Sequence, residues 1–95
     1  MIVSYRNKST CEFAEGKYVK AFAGFSRQAE MKLDQLDAAI TVQDLSVLPG
    51  NRFEPLKDDR KGQYSIRIND QWRICFEWPS RSPGPVNVET VDYCT

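Results

Sequence analysis

At 95 residues and 10.9 kDa the chain has the length of one domain with a single core. Its 41% hydrophobic and 27% charged residues exclude a disordered or fibrous chain. A formal net charge of zero gives no global signature of polyanion binding, and the absence of histidine excludes imidazole as catalyst or metal ligand.

Ile2 to Arg6 alternates apolar and polar residues and predicts a first strand. Ser9 or Thr10 would cap a short helix running through Glu15, with Gly16 as its stop. After an aromatic stretch (Tyr18, Phe22, Phe25), Ser26 would cap the main helix, whose apolar stripe is Ala29, Leu33, Leu36 and Ile40. Thr41 to Asp44 fits the start of another short helical turn, closed by Leu48-Pro49-Gly50-Asn51.

The period then changes from helix to strand. Tyr64, Ile66 and Ile68 alternate with Ser65, Arg67 and Asn69, and Asn69-Asp70 makes a tight turn. Trp72, Ile74, Phe76 and Trp78 point one way, and Gln71, Arg73, Cys75 and Glu77 the other. A Ser/Pro/Gly loop leads to a last strand over about 86–93. The expected architecture is a single α+β domain over residues 1–95, with an N-terminal strand and two to three helices packed on one face of a small, mainly antiparallel sheet.

The opening residues lack a basic leader followed by an apolar run, and no apolar stretch approaches the ~20 residues of a spanning helix. A cytoplasmic chain without membrane contact is therefore expected. Cys11, Cys75 and Cys94 are scattered and odd in number, so free thiols are expected, with no metal and no cofactor.

Three groups of residues could carry chemistry. Arg73 lies on the polar face of its strand: as plain surface it would pair with an acid such as Glu77, and as a functional group its planar guanidinium would bind phosphate. Lys57, Arg60 and Lys61 form a charged loop, either solvated or flanking an RNA backbone, in a segment (52–73) whose net charge is +2. Asp92, Tyr93 and Cys94 stand near the end of the chain, where a phenol could stack on a base and a thiol could exchange a proton. None of these signals is specific taken alone.

The whole string is more specific. Leu48-Pro49-Gly50-Asn51-Arg52-Phe53-Glu54-Pro55-Leu56-Lys57, the block Tyr64-Ser65-Ile66-Arg67-Ile68-Asn69-Asp70-Gln71-Trp72-Arg73-Ile74, and Val88-Glu89-Thr90-Val91-Asp92-Tyr93 closely resemble the HigB toxins, or plasmid-maintenance killer proteins, of the RelE/ParE superfamily. The resemblance covers essentially the whole chain. It implies a toxin encoded beside a HigA-type helix-turn-helix antitoxin, through which alone operator DNA would be bound. It also implies a metal-independent endoribonuclease that cleaves mRNA on the ribosome by attack of a ribose 2′-OH on the adjacent phosphate.

By position, the resemblance makes Arg73 the contact to the scissile phosphate, Lys57 a second cation or proton donor, and Asp92 and Tyr93 the acidic and aromatic pair of the site. Arg67, Arg60, Lys61, Glu54 and Cys94 would contact substrate. Two positions depart from the pattern: Glu54 stands where many relatives carry histidine, and Cys94 replaces the histidine of a common Asp-Tyr-His ending. The alternatives are a catalytically silent homologue that binds antitoxin, and a ParE-like inhibitor of DNA gyrase that shares the fold alone.

Overall fold

A computed structural model describes residues 1–92. Three α-helices come first: α1 (Lys8–Ala14), α2 (Ser26–Ala38) and α3 (Val42–Ser46). Four strands follow: β1 (Glu54–Pro55), β2 (Gln63–Arg67), β3 (Trp72–Glu77) and β4 (Val86–Asp92). They form one sheet in the order β1-β2-β3-β4, each neighbour antiparallel to the next. The α+β architecture is the expected one.

Helix α1 begins two to three positions earlier than the predicted Ser9 or Thr10 cap implies, because the Asn7 side chain accepts the Thr10 N–H at 3.0 Å and so caps it. Thr10 is instead fully buried, and its hydroxyl accepts the Thr90 N–H at 2.9 Å, covering the outer edge of β4. Gly16 ends the helix as predicted. With φ +93° it lets the Gly16 and Lys17 N–H groups return to the carbonyls of Phe13 and Glu12.

Ser26 is the first residue of α2 rather than its cap, because a 3₁₀ turn over Lys20–Phe25 runs directly into the helix. Ala29, Leu33 and Leu36 form its buried stripe, but Ile40 is 81% exposed. The helix ends at Ala38, Ala39 is extended, and the Ile40 N–H belongs to the next helix, where the Asp44 carboxylate accepts it at 2.9 Å. Thr41 and Asp44 form a capping box for α3, as their spacing predicts.

The predicted first strand is reduced to one parallel bridge, Tyr5 opposite Val88, with hydrogen bonds from Val3 and Arg6 to the carbonyls of Pro85 and Val88. Asn87, at φ +53°, kinks β4 beside it and turns its N–H to the Ser4 hydroxyl, which interrupts a longer ladder. Gly84 is obligatory here: a Cβ at that position would overlap the Met1 carbonyl.

The helices cover one sheet face. Leu36, Ile66, Ile74 and Phe76 are fully buried in the core, each contributing about 1.5–3 kcal/mol of burial. Phe22, Phe25 and Trp72 form an aromatic cluster at one end, and Phe53, Tyr64 and Phe76 a second one. No helix among the described residues is long and apolar enough to cross a membrane.

Candidate functional site

Strand register decides which side chains share the face turned away from the helices. Arg67 lies opposite Arg73, Ser65 opposite Cys75, and Gln63 opposite Glu77, while Glu54 pairs with Ser65 and Glu89 with Cys75. Because Ile66, Ile74 and Phe76 point into the core, these residues form a polar row on the other face.

Arg73 is the anchored member of that row, with only 13% of its side chain exposed. Its Nε donates to Ser65 Oγ at 2.9 Å, and its Nη2 donates to the Arg52 carbonyl at 2.6 Å. The acid beside it is Glu54, at 3.8 Å. This corrects the pairing with Glu77, which binds Arg6 at 2.9 Å instead. Glu77 lies four residues along β3, about 13 Å away, whereas β1 brings Glu54 directly beside the Ser65 that already holds the guanidinium.

Arg67 faces Arg73 and pairs with Asp70, a residue of the β2–β3 turn. Two like charges in register repel each other, and here each has its own acid, Asp70 for Arg67 and Glu54 for Arg73. The turn itself is set by Asn69, whose Oδ1 accepts the N–H groups of Gln71 and Trp72, both at 2.8 Å.

A second charged group occupies the other end of the same face. The Glu89 carboxylate accepts from Arg60 at 3.2 Å and lies 3.3 Å from Arg6, while Arg60 also donates to Gln63 at 3.0 Å. Beneath this layer the Cys75 thiol is fully buried, and burial pushes it up to about 11. Lys57 and Lys61 are exposed on the loop joining β1 to β2. Asp92 stands opposite Trp72, on the other side of the pleat from Arg73, and accepts a hydrogen bond from Gln71 at 2.9 Å. Tyr93 and Cys94 lie outside the described residues.

Sequence reasoning thus named Arg73 and Arg67 but missed what holds them. Ser65 was legible, since it alternates onto the same face. The Arg52 carbonyl, Asn51 and the buried Lys32 carried no sequence signal. Lys32 Nζ donates to Asn51 Oδ1 at 2.5 Å, and burial, followed by the nearby Arg67 charge, lowers its pKa. Among the described residues no three Cys, Asp or Glu side chains converge in a way that could hold a metal ion.

The four-stranded antiparallel sheet with helices on one face has a counterpart in a solved toxin structure. A YoeB/ParE toxin from Agrobacterium tumefaciens superposes with a TM-score of 0.57 at 18% identity, over 99% of this chain and 98% of that one. The chain belongs to the HigB-like toxin family: the family model described as the RelE-like toxin of type II toxin-antitoxin system HigB matches residues 5–94.

Toxin HigB-1 of Vibrio cholerae is 53% identical over 47 residues, half of each chain. An uncharacterized protein of Haemophilus influenzae is 29% identical over 62 residues, which is 65% of this chain and 61% of that one. The chain thus spans about half to three-fifths of the length of the relatives it matches.

Proposed function

We propose that this toxin is a ribosome-dependent endoribonuclease that cleaves mRNA and is neutralised by a HigA-type helix-turn-helix antitoxin. The observation that carries the reading is the Arg67–Arg73 pair, two cations in register on a rigid sheet with one of them locked by three neighbours. Strand-borne guanidiniums are pre-oriented for the oxygens of a phosphate and lose little freedom on binding it.

In the proposed reaction the ribose 2′-oxygen bonds to the adjacent phosphorus and the bond to the 5′-oxygen breaks. The products are a 2′,3′-cyclic phosphate and a 5′-hydroxyl. Charge builds on the phosphorane oxygens, where Arg73 and Arg67 stabilise it. Lys57 supplies a further cation or the proton for the leaving oxygen. Tyr93 is assigned the proton of the 2′-hydroxyl; Asp92, on the other side of the pleat from Arg73, is left without a direct part in that transfer. Arg60, Lys61, Glu54 and Cys94 border the substrate. With a net charge of zero, the protein depends on the ribosome to present the message, so its binding to naked RNA is weak and falls with salt.

The test adds purified, antitoxin-free protein to ribosomes carrying a message and maps new 5′-hydroxyl ends. Cleavage that Arg73→Ala reduces by about 10²–10³, with antitoxin binding retained, supports the reading. An intact message, together with normal growth of cells expressing the protein, overturns it. If inhibition of DNA supercoiling appears instead, the target is gyrase. If Cys94→His switches on cleavage that the parent lacks, the chain is a silenced member of its family.

A further inference from the structure

The loop between α3 and β1 ties both arginines of the pair to consecutive carbonyls. The Asn51 carbonyl accepts the backbone N–H of Arg67 at 2.6 Å, and the Arg52 carbonyl accepts Arg73 Nη2, also at 2.6 Å. Arg52 holds a left-handed backbone, with φ +45°, a conformation disfavoured for a residue with a side chain. Something must therefore pin this loop.

Asn51 does so from inside. It is fully buried, its Nδ2 donates to the Leu45 carbonyl at 3.1 Å, and its Oδ1 accepts from Lys32 Nζ. Lys32, on the inner side of α2, is itself only 6% exposed, and among the described residues it forms no ion pair with an acid. An ammonium buried without a counter-ion is costly, and a leucine or methionine would fill the same position more cheaply. What this lysine does here is hold the Asn51 amide.

We infer that Lys32 and Asn51 are positioning residues for Arg73: the buried lysine fixes the Asn51 side chain, Asn51 fixes the strained Arg52 carbonyl, and that carbonyl aims the guanidinium at the scissile phosphate. This rests on the nuclease reading for its catalytic part, but the aiming of Arg73 is independent of it. The contacts run without a gap from α2 through the loop to β3, so a change 41 positions away in sequence reaches the reacting group through two hydrogen bonds and the Asn51–Arg52 peptide link between them.

The test is Lys32→Met, which keeps the volume and removes the ammonium, with Asn51→Asp as a second variant that keeps the shape and the acceptor. Thermal melts fix a temperature at which each protein is folded. Two readouts follow. The first is solvent exchange of the Arg73 Nε–H in nitrogen-15 spectra, with no substrate present; exchange in Lys32→Met should be at least about tenfold faster than in the parent as the clamp loosens. The second is kcat for cleavage on the ribosome, which should fall between about 10- and 100-fold with KM changed much less. In an Arg73→Ala background the Lys32→Met change should have no further effect on kcat, because the two act through one group.

Unchanged Nε–H exchange in Lys32→Met overturns the positioning role whatever the activity. Faster exchange with unchanged kcat, or full additivity with Arg73→Ala, overturns its catalytic part. If the parent itself cleaves nothing, the nuclease reading fails, and the exchange measurement alone decides whether Lys32 aims Arg73.

Discussion

Glu54 approaches Arg73 to 3.8 Å, and the two are unequally placed: the arginine side chain is 13% exposed and the glutamate 52%. The arginine is held by Ser65 and the Arg52 carbonyl as well, so it is fixed whether or not the acid is present. Substituting lysine tests that fixing. One ammonium cannot span Ser65 Oγ, the Arg52 carbonyl and a phosphate together. Arg73→Lys is expected to lose about 10² or more in cleavage rate and about 1–3 kcal/mol of stability from the partners left unsatisfied. Single-turnover cleavage and denaturant melts measure the two. Near-parental cleavage would show that charge alone suffices.

The glutamate is the exposed partner, and under the proposed function it competes with an incoming phosphate for the same guanidinium. Glu54→Gln removes that competition while keeping the shape of the side chain. KM for cleavage on the ribosome should fall by up to about fivefold, the scale of an exposed ion pair worth about 1 kcal/mol, with kcat little changed. A large loss of kcat would instead make Glu54 a proton acceptor.

The elements were legible where one local rule decided them. Ala29, Leu33 and Leu36 recur at helical spacing, Ile66 and Ile74 alternate with charges, and Thr41 and Asp44 stand three apart; each finds the predicted environment. Ile40 fits the helical spacing equally well and fails, because the Asp44 carboxylate draws its N–H into the cap of α3. The same limit applied at the site. Arg73 could be placed on the polar face beside Ser65 by alternation, but its other two named partners come from residues 52–54, through a two-residue strand whose pairing is non-local and whose second residue is a proline. Lys32 carries no sequence signal of its role, because nothing in its neighbours announces Asn51, nineteen positions later.

Cys75 lies beneath the Arg60–Glu89 layer with its thiol pushed up to about 11 by burial. Near neutral pH it should resist thiol reagents until the chain unfolds, whereas half-buried Cys11 reacts in the folded protein. Mass spectrometry of the labelled peptides separates the two. The raised value also has a sign. The folded thiol keeps its proton at a pH where the unfolded one, at about 9, has released it, so raising the pH favours the unfolded chain. The resulting stability is complete below about pH 9 and is lost as pH rises through about 11. Cys75→Ala should therefore lose less melting temperature than the parent between those values. Equal losses would place the thiol in contact with water.

Asp44 sets the acid limit of the turn that leads to the site. Its carboxylate accepts the N–H groups of Ile40 at 2.9 Å and Thr41 at 3.1 Å, and these bonds, Ile40 first, hold it below the ordinary 3.8. A carboxyl that binds its proton less readily when folded stabilises the protein above its unfolded value, and that contribution disappears as pH falls through the folded one. Asp44→Asn should thus melt lower than the parent at pH 7, and the gap should narrow below about pH 3.8 as the parent's own carboxyl is protonated. The cap anchors α3, whose Leu45 carbonyl holds the Asn51 amide. Loosening it should therefore also reach the Asn51 loop and quicken exchange of the Arg73 Nε–H. A melting-temperature gap that stays constant down to pH 2 would mean that the carboxylate charge plays no part in the cap.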